Sequence, residues 1–446
     1  MRHLMRLTWA TAVLGFVTVA AAEAAPPPKP KKEDAPAPAK KAGANDPTLA
    51  AAAAPAKPAS EWDGAVAYFR DAENTGWTAD KCSSAADKFQ SAGKGKRAEG
   101  YFNAGVAMER CGRTNDAEKL YRKALDLNPT HGPSLANLGE LAYKAGKYQD
   151  AQSYFDQAVK ADGGKLEVSA ARNNLAWIEY QQLRQTNVAA TRQQLETEAL
   201  GNLQRALAID NDSVVAYTIM ALVYMEGADR NRNRLELANL LLTEGKKRND
   251  RYAPLWNAMG LLAMRYNNVA KALEDFRQAV TLDPRLTEAR MNVGQIVLSS
   301  RNYDEAETQF REVLKLRPKE YGALVGLGVA LRGQATVLRS AGQMDKFQKK
   351  IDEAESTYRA AVDIDKNRGD AYYNLGLLYK DYRTNDPDQS KNIAQYKKAK
   401  EFFQEFLARA DKGDPKRDEA GGHVQDCDKY VEILGKVVQD QASGKR

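Results

Sequence analysis

Apolar residues recur along most of the chain at the three-and-four spacing of an amphipathic helix, in pairs of short segments separated by polar turns. In residues 100–129, GYFNAGVAMERCGRTNDAEKLYRKALDLNP, one segment puts Tyr101, Ala104, Gly105 and Met108 on a single face. The next puts Ala117, Tyr121 and Ala124 on a single face, and Pro129 stops it. The pattern predicts two helices, here termed A and B, joined by a short turn. A small residue marks the middle of helix A, and an aromatic flanked by alanines marks helix B.

The same order returns with Leu135, Leu138, Gly139, Ala151, Phe155 and Ala158. Trp256, Gly260, Ala272, Phe276, Ala279 and Pro284 follow it, as do Val293, Gly294, Ala306, Phe310, Val313 and Pro318. Gly105 to Gly139, Gly260 to Gly294 and Gly294 to Gly328 are each 34 residues apart. This order and period resemble the tetratricopeptide repeat (TPR). The resemblance implies an all-α superhelical solenoid of about eight to nine helix-turn-helix repeats with a C-terminal capping helix, in which stacking buries apolar faces that no single unit can bury.

Four units carry extra residues between A and B. Leu175 and Ala176 are followed by Ala199, Leu203 and Ala206 about 11 residues late, and the unit at Ala221 resumes at Ala238 about five late. Gly328 is followed by Ala354, Tyr358 and Ala361 about 14 late, and Gly376 by Ala399, Phe403 and Phe406 about 11 late. Lengthened helices are the simplest way to hold these residues. The expected organisation is 1–24 signal peptide, 25–60 tether, 61–97 irregular first repeat, 98–415 TPR array, and 416–446 capping helix and tail.

The N-terminus departs from the pattern. Arg2 and Arg6 precede LTWATAVLGFVTVAAA and then Ala22, Glu23 and Ala24, which reads as a secretory signal. An uncleaved anchor is the alternative, but 16 apolar residues fall short of the roughly 20 that span a bilayer. No later apolar run is expected to be long enough to cross a membrane. Residues 25–60 hold nine of the 16 prolines and no aromatic residue, a composition that gives a solvated spacer.

The net charge of +7 changes the picture little, because the first 60 residues carry eight Lys/Arg against four Asp/Glu. The remainder is nearly neutral, so no nucleic-acid partner is expected. Candidate chemistry is sparse. After signal removal only His131 and His423 remain, and no phosphate loop, nucleophile elbow or His-Glu-x-x-His is present. His423 and Cys427 share a helix face, but two ligands do not make a metal site. No enzyme activity, cofactor or metal is expected.

The TPR resemblance implies that partners bind the concave face lined by helices A. The matching positions are Phe102, Val106, Tyr143, Asn173, Trp177, Tyr180, Met225, Asn257, Leu261, Met264, Met291, Arg332, Tyr373 and Leu377. Such a face suits a helix or an extended peptide from another envelope protein. The Lys/Asn/Arg carboxylate clamp of chaperone-binding TPR domains is not reproduced. A second candidate surface is the inserted edge, with Arg230, Arg232, Arg234, Lys246, Lys247, Arg248, Lys346, Lys349 and Lys350. Stacked TPR units also bring the start of one helix B near the end of the next helix A, which implies a Cys82–Cys111 disulfide with Cys427 free; two separate packed thiols are the alternative.

Export signal, tether and irregular array together resemble the exported TPR proteins of bacterial gliding-motility machinery. The function expected is a non-catalytic scaffold of the cell envelope, periplasmic and associated with the outer membrane or peptidoglycan. The alternative is an accessory factor that positions a secretion enzyme or one acting on peptidoglycan or polysaccharide.

Overall fold

A computed structural model of the protein describes residues 60–161, 165–228 and 231–443. The signal at 1–24 and all of the tether except Ser60 lie outside the described residues. Within them the chain forms nineteen helices and no strands. It divides into two compact units, one ending at Glu226 and the other beginning at Gly227.

The first unit contains α1 (Glu61–Thr75), α2 (Ala79–Ala92), α3 (Ala98–Arg110), α4 (Thr114–Leu127) and α5 (Gly132–Lys144). It continues with α6 (Tyr148–Lys160), α7 (Lys165–Gln185), α8 (Ala189–Ile209) and α9 (Val214–Glu226). The second contains α10 (Asn233–Arg248), α11 (Ala253–Arg265), α12 (Val269–Leu282), α13 (Thr287–Ser299) and α14 (Tyr303–Leu316). α15 (Tyr321–Ser340), α16 (Met344–Ile364), α17 (Asp370–Tyr382), α18 (Gln389–Arg409) and α19 (Arg417–Ala442) complete it. In each unit successive helices pack as antiparallel hairpins, each against the next, and α19 covers α18.

The extra residues of the insertions form helix. α7, α8, α16 and α18 each have 21 residues and α15 has 20, against 13 or 14 in α3–α6 and α11–α14. α10 has 16. One expectation is corrected here: α15 is long and apolar enough, by length and composition, to cross a bilayer. Its Leu327, Ala330, Leu331 and Ala335 instead belong to a core shared with Phe347, Ile351 and Ala354 of α16.

The A–B joint explains the recurring small and large residues. A Cβ on Gly105 would lie 2.5 Å from the Tyr121 ring, and one on Gly139 2.6 Å from Phe155. Gly260 meets Phe276 at 2.5 Å, Gly328 meets Tyr358 at 2.4 Å, and Gly376 meets Phe403 at 2.7 Å. The aromatic of helix B therefore lies flat on the bare backbone of helix A, where any side chain would force the helices apart. The glycine-to-aromatic interval is 16 positions in the regular hairpins, 30 in α15–α16 and 27 in α17–α18. It lengthens by the size of each insertion, so the inserted residues leave the joint untouched.

The turns repeat as well. Gly112, Gly146 and Gly342 have φ of 71°, 76° and 71°, and Asn267 and Arg301 hold the same place with φ of 58° and 62°. After that residue the chain's next N–H bonds back to the last turn of helix A, as in Arg113 N to Met108 O at 3.0 Å and Asn302 N to Val297 O at 2.9 Å. This left-handed closure reverses the chain within three residues.

Candidate partner-binding face

None of the fourteen positions expected to line a groove is fully exposed. Nine are buried: Phe102, Val106, Asn173, Trp177, Tyr180, Met225, Asn257, Met291 and Tyr373. Tyr143, Leu261, Met264, Arg332 and Leu377 are half-buried. In the first unit Phe102 packs on Tyr121 and His131, with centroids 5.8 and 5.4 Å away. Trp177 donates from Nε1 to the Tyr143 hydroxyl at 3.1 Å and packs on Tyr180 at 5.4 Å. In the second unit Asn292 Nδ2 donates to Asn257 Oδ1 at 2.9 Å, while Tyr373 packs on Phe403, Phe406 and His423. These side chains join neighbouring helices. Truncating Trp177 would test core stability before it tested binding.

The structure draws attention to residues the motif reading passed over. Asn103, Asn137, Asn174, Asn292 and Asn374 all sit two positions before the small residue of their helix A, and all are buried. Asn137 Nδ2 donates to the Tyr121 hydroxyl at 3.0 Å, and Asn173 Nδ2 donates to Ser213 Oγ at 3.1 Å. Their Oδ1 atoms, Asn103 Oδ1 and Asn174 Nδ2 are buried without a hydrogen-bond partner. The signal was present in the sequence as an asparagine at fixed offset from Gly105, Gly139, Ala176, Gly294 and Gly376.

Glu179 gives this region its clearest electrostatic feature. It is buried in α7, accepts from Asn202 Nδ2 of α8 at 2.9 and 3.2 Å, and burial pushes its carboxyl up to about 7. Because the folded value exceeds the unfolded one, its contribution is fully present below about pH 4.5 and is lost as pH rises through about 7. A shift of this size predicts a loss of roughly 3 kcal/mol across that window. Urea unfolding at a series of pH values should show this decline, and Glu179→Gln should flatten it.

At least four of the nine inserted-edge cations make contacts within the chain. Lys247 and Arg248 pair with Glu244 at 2.7 and 3.0 Å, Lys350 pairs with Glu307 at 3.1 Å, and Lys246 lies over the Trp256 ring at 4.2 Å. Arg230 lies outside the described residues. His131 caps α5 by accepting from Ser134 N at 3.3 Å. His423 Nδ1 accepts from Lys380 Nζ at 2.8 Å, and the buried Cys427 thiol is pushed up to about 11, chiefly by burial. Among the described residues no group of three or more His, Cys, Asp or Glu could hold a metal ion. Cys82 and Cys111 form a disulfide from α2 to the end of α3, with Cα atoms 6.4 Å apart, and Cys427 is free.

Three segments, residues 112–175, 253–286 and 294–346, match tetratricopeptide repeat families. The chain therefore contains tetratricopeptide repeats, and its helical hairpins are built on them. It is 25% identical over 218 residues to human Protein O-mannosyl-transferase TMTC1, covering 48% of this chain and 23% of that one. It is 30% identical over 110 residues to a barley protein described as a probable UDP-N-acetylglucosamine–peptide N-acetylglucosaminyltransferase, SPINDLY, covering 24% and 11%. The chain thus spans less than a quarter of the length of these curated relatives. Among solved structures, yeast Tom70 aligns at 14% identity over 85% of this chain and 98% of its own, with a TM-score of 0.36. The Thermus thermophilus TPR protein TTC0263 aligns at 22% identity over 52% and 98%, with a TM-score of 0.30.

Proposed function

We propose that the protein is a non-catalytic scaffold of the bacterial cell envelope that holds extended segments of partner proteins along its A-helix faces. The observation that carries this reading is the row of buried asparagine amides on α3, α5 and α7 with unpaired atoms. A buried polar atom without a partner costs about 1–3 kcal/mol. An extended peptide presents N–H and C=O groups at regular intervals, and each amide side chain can both donate and accept. A peptide backbone that displaces the side chains now covering these atoms would recover that cost on several helices at once.

The location rests on the N-terminal signal pattern and on the Cys82–Cys111 disulfide, since disulfides persist in oxidising compartments. The compartment proposed is the periplasm, with attachment to the outer membrane or peptidoglycan. The narrower proposal, a part of a gliding-motility complex, is supported by the combination of signal, tether and irregular array.

The double variant Asn103→Ala/Asn174→Ala removes two unpaired amides. It should leave the melting temperature unchanged or slightly raised, while capture of crosslinked partners from envelope fractions falls at least about tenfold. Undiminished capture would move the binding site elsewhere. Wall hydrolases or synthases among the captured proteins would favour the accessory-factor alternative, and unaltered gliding after gene deletion would remove the motility role.

A further inference from the structure

The even-numbered helices α2 to α18 occupy the B register, and the large residue of each that packs at the joint is Phe in five of them and Leu in two. It is Tyr in the other two, Tyr121 of α4 and Tyr358 of α16. A phenyl ring fills the notch as well as a phenol does, so each hydroxyl is an addition that packing does not require. Once buried, it needs a partner.

In α3–α4 the chain supplies that partner. Tyr121 donates to Glu109 Oε2 at 2.5 Å and accepts from Asn137 Nδ2 at 3.0 Å. Glu109 stands four positions after Gly105, one turn along helix A. In α15–α16 the residue four positions after Gly328 is Arg332, a side chain with donors and no acceptor. The Tyr358 hydroxyl is buried without a hydrogen-bond partner, and so is Arg332 Nη1. Among the described residues no Asp or Glu forms an ion pair with Arg332. Burial pushes the Tyr358 hydroxyl up to about 12 and raises the Tyr373 hydroxyl of α17 as well, and the Arg332 charge opposes both shifts, which places the guanidinium near the two phenols. Two donors thus stand where the first hairpin sets a donor against an acid.

We propose that Arg332 and Tyr358 receive a carboxylate of the partner segment held on the second unit's A-helix face, an inference that rests on the peptide-holding role proposed above. A carboxylate accepts from the guanidinium fork and from the phenol together, and its single charge balances that of Arg332. A phosphate would carry further charge that this pair does not neutralise. Both donor atoms are covered in the chain alone, so the carboxylate displaces the side chains over them. Arg332 is half-buried, and its flexible stem lets the guanidinium follow the ligand.

Retention of short random synthetic peptides by the immobilised full chain tests this, with one library amidated at the C-terminus and the other left as the free acid. Acid residues at one position of the retained amidated peptides, enriched at least about tenfold over those retained by Arg332→Met, assign the carboxylate to a side chain. Free-acid peptides retained at least about tenfold better than amidated ones, with the difference lost in Arg332→Met, assign it to the chain end. Either result supports the site, and Arg332→Lys, which keeps the charge, should keep part of the preference. Tyr358→Phe should reduce the preference while the melting temperature is unchanged or raised, whereas Tyr121→Phe should lower melting because it breaks two hydrogen bonds. A Tyr358→Phe chain that melts as far below wild type as Tyr121→Phe would overturn the proposal, because the hydroxyl would then have its partner within the chain. Peptides retained with no preference for a carboxylate, or with the same preference in Arg332→Met, would overturn the site and leave the scaffold reading standing. No retention from either library would overturn both.

Discussion

Phe310→Ala is expected to lower the unfolding free energy of the second unit by about 3–5 kcal/mol, the range for emptying a fully buried aromatic site. Phe310 differs from its counterparts in serving two glycines. A Cβ on Gly294 of its own hairpin would lie 2.9 Å from the ring, and one on Gly326 of α15 would lie 2.5 Å from it. The side chain has no exposed surface and sits in the core that also holds Phe276, Val293, Val297 and Leu327. With helices fixed on both sides, the space left by the ring has little means of closing. Stability in a repeat array is a sum of units and nearest-neighbour interfaces, and this substitution damages one hairpin and its junction with the next. Phe276→Ala is the comparison, because its ring fills one glycine notch. Denaturant unfolding followed by circular dichroism should rank Phe310→Ala as the more damaging. Equal losses would mean that the Gly326 contact contributes nothing.

That joint was also the most legible part of the sequence. Gly105 and Tyr121 declare each other because the same contact demands both, and the 30- and 27-position intervals at Gly328–Tyr358 and Gly376–Phe403 disclose insertions that bypass it. The binding face was less legible for a physical reason. Periodicity shows which side of a helix is apolar, but whether Trp177 or Tyr373 meets solvent depends on what neighbouring helices place over it. Tyr143 supplies a hydroxyl to Trp177, and α18 and α19 supply Phe403, Phe406 and His423 to Tyr373. The asparagine row was visible as an offset from the glycine. Its meaning depends on which amide atoms find partners in the folded chain. The division between Glu226 and Gly227 opens the polar run GADRNRNR, which the repeat pattern reads as residues inserted between helices A and B rather than as a boundary.

Removing the Cys82–Cys111 disulfide by Cys82→Ala/Cys111→Ala is expected to cost about 3–4 kcal/mol, from the chain entropy of a closed loop of this length. The two residues are 29 apart and tie α2 to the end of α3. Position in the array decides where the loss appears. An internal hairpin is held by neighbours on both sides, whereas α1 and α2 begin the described chain, with α2 packed on α3 as the next hairpin. What else holds this end is a core of Ala65, Phe69, Ala85, Ala86 and Phe89 that continues into Phe102 of α3, with Arg97 over Trp62; the Arg110–Glu73 ion pair at 2.7 Å is partly exposed and contributes little. Without the covalent tie, α1 and α2 should open separately from the rest. Amide exchange should accelerate across residues 61–92 and remain unchanged in α5 and α6, and the wild-type chain in reductant should behave as the variant does. Uniform acceleration along the first unit would show instead that α1 and α2 unfold together with the hairpins that follow, and that the disulfide stabilises the unit as one cooperative block.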